Sequence, residues 1–237
     1  MSSSLIVRAA ARNNAEWCDT FCRTHEIVGC FRADSWFSPV RTPPYYPDAV
    51  TLLPGTTTDQ VLSGIDTGEG CSVKDSFAVL DLAAAGFRPL FRAMWLVRKP
   101  DQTRSVSARP WSAVTSEEQL GEWEAAWGER PDGSGFFRRA LFEDETISVL
   151  AGYDADRIVA GAVATRSAKV IGLSNLFATE GDLESAWVGA AAAAAALWGD
   201  MPIVAYESGA ALDAAEAARF TPIGELVVWL NASPSPS

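Results

Sequence analysis

The sequence predicts an α/β chain in which helices flank a mixed, mainly antiparallel sheet. Three observations predict it. Strand-like and helix-like segments alternate along nearly all of the 237 residues. Two apolar segments, 147–153 and 157–165, are joined by Asp154-Ala-Asp156 and followed by a third at 170–178, the pattern of an antiparallel meander. From 183 to 230 the order is helix, strand, helix, strand, which calls for a parallel crossover. With 48% hydrophobic and 21% charged residues, the chain has enough apolar surface for a core, and disorder is excluded.

The elements follow in order. Residues 13–26 form a helix with Trp17, Cys18, Phe21 and Cys22 on one face. Segment 31–47 carries four prolines and five aromatics, which forbid a regular helix or a central strand. A short strand at 49–53 precedes a helix at 59–65 capped by Thr58. A strand at Ser72-Val73, a helix at 79–85 stopped by Gly86 and a strand at 90–97 come next. The polar stretch 98–105, with Pro100, divides the chain. Beyond it lie a strand at 106–108, a helix from Thr115-Ser116 through Trp127 with Gln119 placed for a capping box, and a helix at 136–142. After the meander come a helix at 183–197, a strand at 203–206, a helix at 210–218 and a last strand at 223–230.

Nineteen basic against thirty acidic residues give a net charge of −11. A polyanion or an anionic membrane surface is therefore not an expected partner; a small molecule is. The start, Met1-Ser-Ser-Ser, lacks the pattern of a secretory leader, and the longest apolar run, 13 residues from Ala186, is too short to span a bilayer. The expected compartment is the cytoplasm, with the four cysteines reduced. The expected assembly is a monomer or homodimer. Cys18, Cys22 and His25 share one helical face with Cys30 nearby, a spacing that metal ligands or core residues can both have; Trp17 and Phe21 on that face favour core, and no metal is expected. His25 is the only histidine and no Gly-x-Ser-x-Gly elbow exists, which disfavours a hydrolase. Gly55-Thr-Thr-Thr58 can cradle an anion, although helix capping accounts for it. In segment 31–47, Trp36, Phe37, Arg41, Tyr45 and Tyr46 either wall a ligand cleft or cover a sheet edge.

The sequence also echoes itself. Asp75-Ser76-x-x-x-Leu80-Asp81 returns as Glu207-Ser208-x-x-x-Leu212-Asp213, and Phe87-x-Pro89-Leu90 returns as Phe220-x-Pro222-Ile223. Each copy then enters an apolar strand that contains a tryptophan, Trp95 or Trp229.

The element order from Val106 to Leu230, with the helix, Arg-Phe turn and terminal strand of Ala217-Ala-Arg-Phe-Thr-Pro-Ile-Gly-Glu-Leu226, resembles the GNAT superfamily of acyl-CoA-dependent N-acyltransferases. The first hundred residues resemble only the later half of that fold. The resemblance implies a partial copy at 1–100, a complete copy at 104–231 and a disordered tail at 232–237. It further implies acetyl-CoA as the acyl donor. Leu176, Phe177 and Ala178 of the fourth strand would bond the pantetheine arm, and Gly181, Asp182 and Leu183 of the following loop would face the pyrophosphate. Two departures bear on function. The loop reads Ala178-Thr-Glu-Gly-Asp-Leu-Glu-Ser-Ala-Trp187, with no basic residue and no Gly-x-Gly, and its Glu180, Asp182 and Glu184 repel a pyrophosphate. The last helix, Ala214-Ala-Glu-Ala-Ala218, lacks the tyrosine that protonates the leaving thiolate in many members of that superfamily. Glu207 and Tyr206, at a strand end, can take acid or base roles or can be plain strand-end polar residues. Two functions follow: an N-acyltransferase with an atypical loop, or a non-catalytic binding or scaffold protein on the same fold.

Overall fold

The computed structural model describes residues 3–100, 109–128, 135–179, 181–199 and 201–232. The expected strand at 106–108, most of the dividing stretch 98–105 and the tail after 232 lie outside these residues. Two compact units result: Met1–Trp95 with Ile223–Ser237, and Leu96–Pro222. The linear division expected near residue 100 differs from this at the C-terminal end, because the last strand joins the first unit. Among the described residues no helix is long and apolar enough to cross a membrane.

In the first unit, helix α1 spans Ser3–Thr24. It starts ten residues before the expected position, because Val7, Ala10 and Ala11 extend the buried stripe of Asn14, Trp17, Cys18, Phe21 and Cys22 at helical spacing. Strands β1 (Cys30–Phe31), β2 (Ser35–Phe37), β3 (Ala49–Thr51) and β4 (Ser72–Asp75) follow, with the short helix α2 (Thr58–Leu62) between the last two. The cap of α2 is Thr57, one residue before the expected Thr58; its hydroxyl accepts the Gln60 N–H while Gln60 reaches back to the Thr57 N–H. β1–β2 and β2–β3 pair antiparallel and β3–β4 pair parallel. The expected helix at 79–85 shrinks to a 3-10 turn, Ala83–Ala85. The reason is Asp75, whose buried carboxylate accepts the N–H groups of Phe77 (3.2 Å) and Leu80 (2.7 Å) and holds that segment as a loop.

Strand β5 (Arg88–Arg98) carries the chain from the first unit into the second. There β6 (Trp111–Ala113), α3 (Glu117–Trp127), β7 (Ile147–Asp154), β8 (Arg157–Arg166), β9 (Ile171–Ala178), α4 (Leu183–Trp198), β10 (Ile203–Glu207) and α5 (Gly209–Ala217) follow in order. The helix expected at 136–142 is a 3-10 turn at Arg139–Glu143. Strands β7 to β9 form the expected antiparallel meander, β6 pairs antiparallel with β7, and β9 pairs parallel with β10. One core of this unit sets Leu150, Ala162, Ala164, Ile171, Leu173, Ile203 and Ala205 of the sheet against Trp187, Ala190, Ala191 and Ala194 of α4. The small side chains of α4 permit this approach. Gly189 lets the Trp111 ring lie on the helix, for a Cβ there would fall 2.0 Å from the indole nitrogen.

The last strand, β11 (Thr221–Leu230), returns to the first unit and pairs antiparallel with β4, Val227 to Leu230 against Asp75 to Ser72. Val227 and Trp229 enter that unit's core beside Phe37, Val61, Cys71, Val73, Leu82 and Phe87.

Candidate functional site

The site begins with two parallel strands that separate. β9 and β10 are in register only at Ile171 with Ile203 and Gly172 with Val204. Both run on, β9 to Ala178 and β10 to Glu207. β9 meanwhile stays paired to β8 as far as Ala178 opposite Ala160. Its departure from β10 has a local cause. Between Gly161 with Phe177 and Val163 with Ser174, β9 has one residue more than β8, and Asn175 within this bulge has φ 52°. A bulge bends its strand and increases the twist, and asparagine tolerates the left-handed region better than most residues. From Leu173 onward, the edge of β9 that would face β10 presents peptide groups to the gap. Leu176, Phe177 and Ala178 lie on this stretch. Such an edge bonds an extended ligand with amides, as a pantetheine arm has.

At the far end of β10 stand Tyr206 and Glu207, both half-buried. Burial raises the Glu207 carboxyl to a pKa of about 7, against the opposing effect of one bond from the Ser208 N–H. The repeated sequence pattern has the opposite outcome in the first unit. Thr51, level with Asp75, accepts the Ser76 N–H on its hydroxyl at 2.8 Å and donates a long 3.5 Å bond to Asp75. The ends of β3 and β4 are thereby tied together, and the Asp75 carboxylate is spent on backbone N–H groups. Glu207 has no such tie among the described bonds of its strand end, so its titration falls near neutrality.

Beyond β9 the chain turns through Gly181 (φ 78°) into α4. Asp182 caps that helix. Its carboxylate accepts the Ser185 N–H at 3.1 Å and the Ser185 hydroxyl, and these bonds together with the nearby charge of Arg109 hold it below the usual carboxylate range. The Leu183 N–H turns to the Gly181 carbonyl at 3.1 Å. Glu180 lies outside the described residues. The open edge of β9 thus offers peptide groups to an amide-bearing ligand, whereas the self-capped, acidic start of α4 is unfavourable to an anion.

The wall beside β9 is aromatic. Trp123 of α3 meets Phe177 edge to face at 5.1 Å, and Phe136, Phe137 and Trp127 continue the cluster. The buried carboxylate of Glu124 fixes the segment by accepting the N–H groups of Gly135 (3.1 Å) and Phe137 (3.0 Å). Arg109 and Glu124 are additions that the sequence alone did not mark. A glutamate on a tryptophan-bearing helix carries no signal of which amides it will meet.

The aromatic segment of the first unit is built differently from an open cleft. Trp36 is fully buried and donates its indole N–H to Asp19 at 2.9 Å. Phe37 is part of the core, and Tyr46 stacks on Phe21 with ring centroids 3.8 Å apart. Arg41 pairs with Asp48 at 2.6 Å and donates to the carbonyls of Asp66, Gly68 and Glu69. Only Tyr45 of the five is exposed. Trp36, Phe37, Arg41 and Tyr46 are thus engaged within their own unit. Among the described residues, no group of three His, Cys, Asp or Glu side chains is placed to hold a metal ion, and the face bearing Cys18 and Cys22 is packed in the interior.

Solved structures reproduce this architecture. A GCN5-related N-acetyltransferase from Kribbella flavida matches with a TM-score of 0.61 at 13% identity, over 95% of this chain and 96% of that one. A protein from Novosphingobium aromaticivorans ascribed to the GNAT family of acetyltransferases matches with a TM-score of 0.54 at 13% identity, over 92% and 96%. A protein from Drosophila matches with a TM-score of 0.51 at 13% identity, over 86% and 77%. No family model and no curated protein sequence matches the chain. The chain therefore has the fold of the GCN5-related N-acetyltransferases.

Proposed function

We propose that this protein is an N-acyltransferase whose second unit moves an acyl group from a pantetheine thioester to an amine. The observation that carries the reading is the opening between β9 and β10, with a carboxyl group of raised pKa at its end. Acetyl-CoA is the donor that the fold implies, and the residues present suit its arm. β9 holds the arm by backbone bonds along Leu173 to Ala178. Glu207, ionised above about pH 7, takes the proton that the amine sheds as its nitrogen forms the amide bond. The carbon–sulfur bond breaks, the sulfur leaves as thiolate, and the proton passes from Glu207 through solvent to give the free thiol. Tyr206 is adjacent on the strand, so its side chain leaves the sheet on the face opposite to Glu207 and Glu207 carries the role. The fold alone does not fix a function, so the reading stands on these residues.

The test pairs ligand binding with transfer. S-acetylpantetheine at a hundredfold its dissociation constant adds about 2.7 kcal/mol to stability, a visible rise in Tm. Under the same conditions a panel of primary amines is assayed for release of free thiol. A shift together with thiol release that depends on one amine class supports the reading. No shift and no transfer favours the binding or scaffold role.

A further inference from the structure

Helix α4 begins where a dipole and unpartnered N–H groups make any helix attractive to a phosphate. Here the chain answers part of that demand itself. Of the three N–H groups of the first turn that have no carbonyl four residues back within the helix, Leu183 donates to the Gly181 carbonyl and Ser185 to the Asp182 carboxylate, each at 3.1 Å. The Ser185 hydroxyl is bound to the same carboxylate. Asp182 and Glu184 put two negative charges on the first turn. The cation whose field reaches Asp182 is Arg109, two residues before Trp111, and the Trp111 ring rests on Gly189 of the same helix.

We infer that Asp182 is a donor-selectivity residue: it occupies the place of a diphosphate at the start of α4, so a thioester donor is bound by its pantetheine arm and gains nothing from a nucleotide diphosphate. The inference rests on the acyltransferase reading and adds to it the class of donor. Donors that carry only the arm are accepted as well as CoA esters. Removing the charge of Asp182 takes one of the two negative charges off the first turn and lowers the cost of seating a diphosphate there.

The experiment is calorimetric titration of the full chain with pantetheine and with CoA, on the parent protein, D182N and D182G. Asparagine caps a helix about as well as aspartate, so D182N removes charge and leaves the fold in place; glycine costs only a few tenths of a kcal/mol. The parent is expected to bind CoA within threefold of pantetheine, with a CoA affinity that holds level or rises as salt screens the repulsion. D182N and D182G are expected to tighten CoA at least tenfold and leave pantetheine within twofold. A parent that binds CoA more than threefold tighter than pantetheine, or a D182N gain below tenfold, overturns the inference while pantetheine binding keeps the acyltransferase reading standing. Failure of both ligands with all three proteins overturns that reading as well, and the inference with it.

Discussion

Glu207 and Asp75 occupy the same place in a repeated sequence pattern and differ in what surrounds the carboxyl. Asp75 accepts two backbone N–H groups; Glu207 accepts one and is raised to about 7 by burial. The sign of the pH effect follows. Below the ordinary glutamate range both the folded and unfolded chains hold the proton. Between about pH 4.5 and 7 the unfolded chain loses it first, so stability falls as pH rises through that window, by about 2 kcal/mol after allowance for the water that still reaches the side chain. E207Q is expected to flatten this slope in urea titrations run across the window. In the transfer assay the parent rate rises through about pH 7 to a plateau, and E207Q loses ~100-fold or more with no such rise. A pH profile of E207Q identical to the parent's would remove Glu207 from the chemistry. The echo of Asp75-Ser76 in Glu207-Ser208 was legible in the sequence. The contrast between them was not, because it depends on Thr51 and on the N–H of Leu80, which only the folded chain brings to Asp75. The aromatics of segment 31–47 make the same point, since a run of rings has one composition whether it walls a cleft or fills a core. Their burial is decided by partners such as Asp19 and Phe21 on α1.

At the scale of elements, two parallel strand pairs show one pair tied and one pair open. T51V tests the tie. It leaves the buried Ser76 N–H without its acceptor, and a loss of about 1–3 kcal/mol in urea denaturation is expected. Valine has nearly the shape of threonine, so a variant as stable as the parent would show that the hydroxyl contributes nothing. On α4, Gly189→Ala opposes two effects. Alanine favours the helix by about 1 kcal/mol, yet its Cβ would lie 2.0 Å from the Trp111 nitrogen, and overpacking of this kind costs about 1–3 kcal/mol. The expected result is a net loss, read as a lowered urea midpoint, with Trp111 moved. Most elements were legible because apolar spacing sets them, and the meander and α4 appear where the sequence puts them. The elements that failed, at 79–85 and 136–142, are those whose backbone is claimed by a carboxylate outside the segment, Asp75 five residues before Leu80 in one case and Glu124 thirteen before Phe137 at the edge of the other. The opening of β9 from β10 was hidden for a related reason. It turns on a bulge at an asparagine, a residue with no fixed meaning inside a strand.

At the scale of the whole molecule, the polar stretch near residue 100 looks like a boundary in the sequence, and the chain does pass from one unit to the other close by. What the sequence conceals is the return of β11, because the pairing of Val227–Leu230 with β4 joins residues more than 150 positions apart. A fragment of residues 1–100 therefore lacks Val227 and Trp229, both buried in the core of the first unit. It is expected to show an unfolded circular dichroism spectrum, and fusing residues 221–232 to it through a flexible linker is expected to restore cooperative unfolding. A cooperatively folded fragment without the strand would show that the core closes unaided. The same arrangement bears on synthesis. Emerging at ~5–20 residues per second, the first unit has nearly all of its sequence outside the ribosome yet waits roughly ten seconds for the strand that completes it. The N-terminal half is thus the last part to mature, and a message cut short anywhere before residue 223 yields a chain whose early residues stay open to chaperones and proteases.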